Sequence, residues 1–303
     1  MDYFSTLSFL FPILLALAYT TIVSGRRKSQ LPPGPFPLPI IGNLLHLSDN
    51  PHQSLATLAK RYGPLMSLRF GTRTSIVVSS PDIAKDFFQT HDHLFSGRPV
   101  PDSVRVVDHD NYSLVWLPTG NQWQRLRRIS KEYLFSVRRL DASEHIRQQK
   151  ELFIAGIDTT SSTIEWAMVE LIHNPHILEA ARNPRLLGAK KMHKSFVMYG
   201  QWGVTQKFDI YDPDKFIPER FLEGKIDYKG QSFELIPFGA GRRSCPGINI
   251  AHRMLHIILG SLIREFDWKL EENLRAQDMN MEEKFGLTLQ RKLPLMAIPL
   301  RFK

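Results

Sequence analysis

Cysteine is nearly absent: Cys245 is the single one in 303 residues. No intramolecular disulfide can form, a multi-thiolate zinc centre is excluded, and nothing points to an oxidising compartment. Internal repeats and low-complexity tracts are missing too. None of the usual nucleic-acid modules is present, and the basic residues behind the net charge of +9 are scattered along the chain. That charge therefore points to an acidic partner or an anionic membrane surface before nucleic acid. At 43% hydrophobic residues the chain can bury a sizeable core, as one large domain or two small ones.

Charge is absent locally as well. No charged residue occurs from Tyr3 to Gly25, where Leu7, Phe9, Leu10, Phe11, Ile13, Leu14, Leu15 and Leu17 carry an apolar run. About twenty such residues can cross a bilayer as one helix. Arg26-Arg27-Lys28 follow at once and place the C-terminal side in the cytoplasm. A cleaved signal peptide is the rival, but Asp2 and no basic residue precede the run, which favours an uncleaved anchor. Prolines then crowd Leu31-Pro-Pro-Gly-Pro-Phe-Pro-Leu-Pro39, giving a stiff extended linker that cannot be helical.

What is present points to one stretch, Phe238-Gly-Ala-Gly-Arg-Arg-Ser-Cys245-Pro-Gly247. A lone cysteine is ordinarily a small buried hydrophobe. Here glycines free the backbone on both sides of Cys245, and Pro246-Gly247 lead into a helix expected from Ile248 to about Glu265. A sulfur at a helix N-terminus meets free N–H groups and the positive end of the dipole, which favour the thiolate that a metal requires. Arg242 and Arg243 stand beside it, ready for anionic groups.

Along the rest of the chain, a short helix is expected over Pro51–Gly63, with Leu55, Leu58 and Ala59 on one face. Two strands follow, Leu65–Phe70 and Ser75–Ser79, joined by a turn at Gly71-Thr72. Pro81 opens a helix over Asp82–Thr90. Asn121 is expected to cap a helix reaching about Val137, which carries Trp123 and Arg127 as an i, i+4 pair. In isolation that pair reads as a core aromatic beside an exposed charge. Arg125, Arg128, Lys131, Arg138 and Arg139 add either a solvated face or a docking surface for an acidic protein. An apolar helix from Leu152 to His173, ended by Asn174-Pro175, contains Ala155-Gly156-Ile157-Asp158-Thr159-Thr160. Gly156 and the hydroxyls from Thr159 to Thr163 weaken its hydrogen bonding locally; alone, they read as a Ser/Thr patch against a neighbouring helix. Gly286–Leu289 and Leu293–Phe302 read as strands.

Phe238-x-x-Gly241-x-Arg243-x-Cys245-x-Gly247 resembles the haem-binding loop of the cytochrome P450 superfamily, the haem-thiolate monooxygenases, and fixes five positions within ten residues. The resemblance implies a mainly α fold with a small β-sheet region behind an N-terminal transmembrane helix. It implies haem as cofactor, Cys245 as the iron ligand, and Arg243 paired with a haem propionate. Trp123-x-x-x-Arg127 resembles the family helix whose indole and guanidinium bond a propionate. The segment Ala155–Thr160 resembles the family's oxygen-activating segment, where the helix loosens over the haem. There Gly156 would leave room for O2, Thr159 would hydrogen-bond it, and Asp158 would relay protons. Phe238, Gly241 and Gly247 complete the cofactor loop. The proline-rich stretch resembles the hinge behind the anchor of microsomal members, and the C-terminal hairpin resembles one that touches substrate. The wording of Ile76–Gly97 and Asp102–Leu117 is most similar to plant terpenoid hydroxylases of the geraniol 8-hydroxylase kind. Implied partners are an NADPH-linked reductase, O2 and a small apolar substrate, at the endoplasmic reticulum membrane with the catalytic body in the cytoplasm. The resulting division is an anchor (1–25), a basic and proline-rich hinge (26–40), and a monooxygenase domain (41–303).

The family pattern is interrupted twice. Gly156 follows Arg127 by only 29 positions, where family members carry several helices, so a loss is expected near 140–152. A second is expected near 178–206. The Pro218-Glu219-Arg220-Phe221 turn is present, but the only Glu-x-x-Arg between the oxygen helix and the cysteine loop is Glu179-Ala-Ala-Arg182, which resembles part of the preceding helix. No structure is expected for Leu186–Gln206. Two functions follow: a working monooxygenase, or an inactive, internally shortened member that keeps the haem-ligand motifs.

Overall fold

The computed structural model describes residues 10–19, 31–106, 108–136, 150–182, 216–218, 227–271, 274–286 and 288–302. Contacts divide the chain into two compact units, Met1–Ile83 and Ala84–Lys303.

In the first unit, residues 10–19 are helical, and Leu10, Phe11, Ile13, Leu14, Leu15 and Leu17 are each more than half exposed. Residues 3–9 and 20–25 of the expected anchor lie outside the described residues. Among the described residues no helix is long and apolar enough to cross a membrane. The proline-rich stretch is non-helical, as its composition dictates, yet it is not a plain linker. It lies along β1 (Leu65–Phe70): Ser67 donates from its N–H to Pro33 O at 2.9 Å and from its hydroxyl to Pro32 O at 2.7 Å. The fit is close, since a Cβ on Gly34 would stand 1.9 Å from Ser67 O. Prolines lack N–H groups but keep their carbonyls, so such a segment can accept hydrogen bonds from a strand edge. Asn43, 1% exposed, completes the seam by donating to Pro35 O and Phe36 O while its Oδ1 accepts from Arg69 N–H at 2.7 Å.

β1 pairs antiparallel with β2 (Arg73–Val78), from Leu65 opposite Val78 to Phe70 opposite Arg73. Alternation sends Met66 and Leu68 to one face, where both are buried. Helix α1 (Pro51–Tyr62) covers them with Leu55, Leu58 and Ala59, the face its periodicity marks.

Next in chain order, α2 (Pro81–Lys85) runs into a π-helical turn over Asp86–Thr90, followed by α3 (Asp92–Phe95) and α4 (Asp102–Arg105). Helix α5 covers Asn121–Ile129 and continues as a π-helical turn to Leu134. The capping expectation is corrected: Gly120 is the N-cap and makes no side-chain cap bond, because Asn121 is already the first helical residue.

Helices α6 (Lys150–His173), α7 (Pro175–Arg182) and α8 (Ile248–Glu265) form the main core. Ala167, Val169 and Leu171 of α6 are wholly buried against Ile177 and Leu178 of α7 and Leu259 and Ile263 of α8. Each buried valine, leucine or isoleucine among them contributes about 1.5–3 kcal/mol by leaving water. Pro175 stops α6 and starts α7, and Asn174 satisfies freed groups by donating to Glu170 O at 2.9 Å. Glu179 and Arg182 stand 3.9 Å apart, but the shorter bonds of Arg182 run to Asp267 at 3.0 Å and Phe266 O at 3.1 Å. That pair ties α7 to β3 (Phe266–Leu270). Arg220 lies outside the described residues, as do 137–149 and 183–215.

Strand β3 pairs antiparallel with β6 (Ala297–Arg301), and β4 (Glu283–Lys284) with β5 (Gln290–Arg291). The strand expected at Gly286–Leu289 is corrected: its described residues belong to the link between β4 and β5. Of the stretch expected from Leu293, only Ala297–Arg301 pairs. The α6 helix also differs from expectation. It is α-helical without interruption through Gly156–Thr163, although the Thr163 hydroxyl donates to Thr159 O at 2.8 Å in competition with the backbone.

Candidate functional site

The Cys245 loop is folded by its own backbone. Cys245 N–H donates to Phe238 O at 2.8 Å and Ser244 N–H to Gly241 O at 3.1 Å, closing a tight knuckle. Gly239 and Gly241 turn it with φ of +67° and +66°, values that L side chains rarely adopt. Gly247 then caps α8, whose ladder opens with Ala251 N–H donating to Gly247 O at 2.9 Å. The sulfur thus sits at a helix start, and a Gly247 N–H hydrogen bond favours its charged form. Burial acts the other way and more strongly, pushing the Cys245 thiol above its ordinary value, with the Arg127 charge only partly offsetting it. The expected net shift toward thiolate is therefore reversed.

Two guanidiniums and an indole pack beside the loop. Trp123 is 5% exposed and donates Nε1–H to Leu114 O at 3.0 Å. Arg243 lies over its ring at 4.9 Å and Arg127 at 5.7 Å from the centroid. Arg243 donates to the carbonyls of Ser96, Leu114, Val115 and Leu117, the last at 2.6 Å. Arg127 donates to Ser244 O and, at 3.1 Å, to Ser244 Oγ. Burial lowers the pKa of both arginines, and the charge of Arg98 lowers each further. Three cations thus converge on a site whose described hydrogen bonds for Arg127 and Arg243 end on neutral oxygens. Such a donor set attracts an anion.

The structure therefore brings together Trp123, Arg127, Phe238, Gly241, Arg243, Cys245 and Gly247 from stretches more than a hundred residues apart. Gly156, Asp158 and Thr159 are placed differently. They occupy an exposed stretch of α6, along with Ile157 at 53% exposure, and a Cβ at Gly156 would meet nothing within 4 Å. From Gly156 on, the first buried side chain of α6 is Ser162. The hydrogen bonds and ring contacts described above for the Cys245 cluster involve none of these α6 residues.

Sequence reasoning did not find Asp92, Ser96 or Ser244, nor the carbonyls of Leu114–Leu117. Backbone acceptors carry no sequence signal. Asp92 is one of 30 acidic residues with nothing in its spacing to set it apart.

The description of the cytochrome P450 family matches residues 32–149, 138–191 and 197–297. Among similar proteins, cytochrome P450 76T24 of Catharanthus roseus is 30% identical, with 93% of this chain and 95% of the relative covered. The geraniol 8-hydroxylase of Swertia mussotii is also 30% identical, over 96% of this chain and 97% of that protein. The ferruginol synthase of Isodon rubescens is 28% identical, over 95% and 98%. The first of these alignments spans 476 positions, far more than the 303 residues here, so residues of the relative stay unpaired inside it.

Proposed function

The chain belongs to the cytochrome P450 family, and from that premise we propose that it oxidises a small apolar, terpenoid-like substrate with electrons from an NADPH-linked reductase. The family is one of haem-thiolate monooxygenases, and haem is its cofactor. Bound through a thiolate, haem supplies the redox centre at which one atom of O2 is inserted into substrate.

The residues fit that group. Cys245, alone in the chain and held at the start of α8, would be its iron ligand. Arg127 and Arg243, which donate to neutral oxygens and lie over the Trp123 ring, would hold its carboxylates, with Trp123 packed against both guanidiniums. Phe238, Gly241 and Gly247 shape the loop. By the family resemblance Gly156 would leave room for O2, and Asp158 and Thr159 would supply an acid and a hydroxyl for proton delivery, a role that their exposure on α6 does not itself support. The terpenoid class is supported by relatives named for geraniol and ferruginol. Exposed Arg125 and Lys131, with Arg128 beside them, offer an acidic reductase a docking face. The apolar run at Tyr3–Gly25 anchors the chain to the endoplasmic reticulum membrane, with the body in the cytoplasm.

The carrying observation is the packing of Trp123, Arg127 and Arg243 against the Cys245 loop. It is tested by the absorption spectrum of the reduced protein under carbon monoxide. A red-shifted band typical of thiolate-ligated haem, lost in Cys245→Ala, supports the reading; no such band in the wild-type chain refutes it.

A second reading rests on the exposure of Gly156–Thr159 and on the short interval between Arg127 and Gly156. In it, the chain is an internally shortened member that keeps the cysteine face and lacks a closed pocket above it. Turnover separates the two. With reductase and NADPH, oxidation of any member of a terpenoid panel supports the monooxygenase; a thiolate-type band with no product supports the shortened, inactive member.

A further inference from the structure

The Cys245 loop is held from outside by a carboxylate. Asp92, the first residue of α3, accepts hydrogen bonds from the backbone N–H of Arg242 at 3.2 and 3.3 Å and from Arg242 Nε at 2.8 Å. The two residues are 150 positions apart, so this is a tertiary tie, not local turn chemistry. Side-chain exposure is 17% for Asp92 and 48% for Arg242, which leaves the carboxylate mostly shielded and fixed in place. The loop is shaped to receive it. A Cβ on Gly241 would stand 2.8 Å from Asp92 Oδ1 and 2.9 Å from Phe88 O, so only glycine lets the carboxylate reach the next N–H. On the other side of the knuckle, Arg243 is fastened to Ser96 O at 3.0 Å, four residues beyond Asp92.

We propose that Asp92 is a positioning residue for Cys245, acting through the main chain and side chain of Arg242 to fix the loop that presents the sulfur. The consequence for haem rests on the reading of Cys245 as iron ligand; the hold on the loop does not. An exposed surface ion pair by itself contributes little. What sets this pair apart is that the carboxylate also takes a backbone N–H inside the loop, so losing it frees the main chain three residues before the sulfur. The neighbouring grip of Arg243 leaves that N–H unheld.

The test has two readouts on the full chain. The first is amide hydrogen exchange of residues 238–247 without haem, with α8 as internal reference for global opening. Asp92→Ala is expected to speed exchange at Arg242 about tenfold, the scale of one charge-assisted hydrogen bond. Asp92→Asn, which keeps an oxygen acceptor without charge, falls between Ala and wild type and guards against a misfolded Ala variant. The second readout is the carbon monoxide spectrum at equal haem content. Both variants are expected to raise the share of the neutral-ligand band over the thiolate band, in the same order. Arg182→Ala, which removes the ion pair to Asp267, should leave that share unchanged. Unchanged exchange over 238–247 in both Asp92 variants overturns the proposal. So does faster exchange with an unaltered band distribution. A wild-type chain without a thiolate band refutes the haem reading instead, and the exchange result then still decides whether Asp92 holds the loop.

Discussion

Replacing Arg243 by alanine isolates the energetic link between the loop and the segment 96–117. Its four carbonyl contacts are unequal. Val115 is 45% exposed, so water replaces the 3.3 Å bond to its carbonyl at little cost. Leu117 is 6% exposed and accepts the shortest bond, 2.6 Å, so removing the donor leaves a shielded acceptor unpaired at about 1–3 kcal/mol. The bonds to Ser96 O and Leu114 O are longer and partly shielded, and the stack on Trp123 adds about 0.5–1 kcal/mol. Relief of repulsion from Arg98 and Arg127 offsets part of this. The expected net loss is about 2–3 kcal/mol for Arg243→Ala. Arg243→Lys keeps the charge but not the planar fork, and is expected to recover about half of it. Urea titration of the haem-free chain, followed by its intrinsic tryptophan fluorescence, measures both. A midpoint for Arg243→Ala equal to wild type would refute the reasoning, since it would mean the carbonyl contacts form no part of the folded state's stability.

Other perturbations test the remaining parts. Gly34→Ala puts a Cβ 1.9 Å from Ser67 O, so the proline-rich stretch must leave β1; limited proteolysis at residues 31–40 should quicken markedly, and unchanged resistance would count against the seam. Leu171→Ala in α6 opens a cavity at a fully buried site and should cost about 2–5 kcal/mol in urea titration. Asp267, hydrogen-bonded first by Arg182 and then by Trp268 N–H, has a lowered pKa. Its contribution is present above the ordinary carboxylate range of about 3.9 and is lost as pH falls through the lower folded value. Asp267→Asn should therefore lower stability at neutral pH and leave it unchanged near pH 2, by paired urea titrations; an equal loss at both would exclude the linkage.

Which parts of this architecture could be read in advance follows from what each depends on. The α1 face of Leu55, Leu58 and Ala59 and the hairpin Leu65–Val78 are local patterns, and periodicity alone locates them. Helix α8 begins at Ile248 and ends at Glu265 as expected, because Pro246-Gly247 and the apolar spacing are both local signals. The seam between Pro32–Pro33 and Ser67 was not legible, since carbonyls accept bonds without regard to side chain. The same holds for the acceptors of Arg243. The helix starting at Asn121 ends sooner than its sequence suggests because the chain rewinds into a π-helical turn at Ser130. The motif residues Trp123, Arg127, Arg243 and Cys245 were nameable because their spacing is particular. Asp92, which bonds the neighbouring Arg242, was not, because an aspartate in a polar run has many equally plausible roles.

The pKa of Cys245 shows why a motif alone leaves the chemistry unfinished. From the sequence, a helix start and flanking arginines argue for a thiolate. In the fold, burial outweighs both and holds the proton on the sulfur. Arg127 is the hinge of that argument: it raises the thiolate's share while its own pKa is lowered by burial and by Arg98. A ligand that brings a cation to Cys245 and carboxylates to Arg127 and Arg243 satisfies all of these groups at once. Arg127→Ala should therefore weaken haem retention more than Arg127→Lys does, because the Nη2 that reaches both Ser244 O and Oγ is lost in both variants but the cation only in the alanine one. Equal haem retention in Arg127→Ala and wild type, measured by absorbance after gel filtration, would break the argument at this residue.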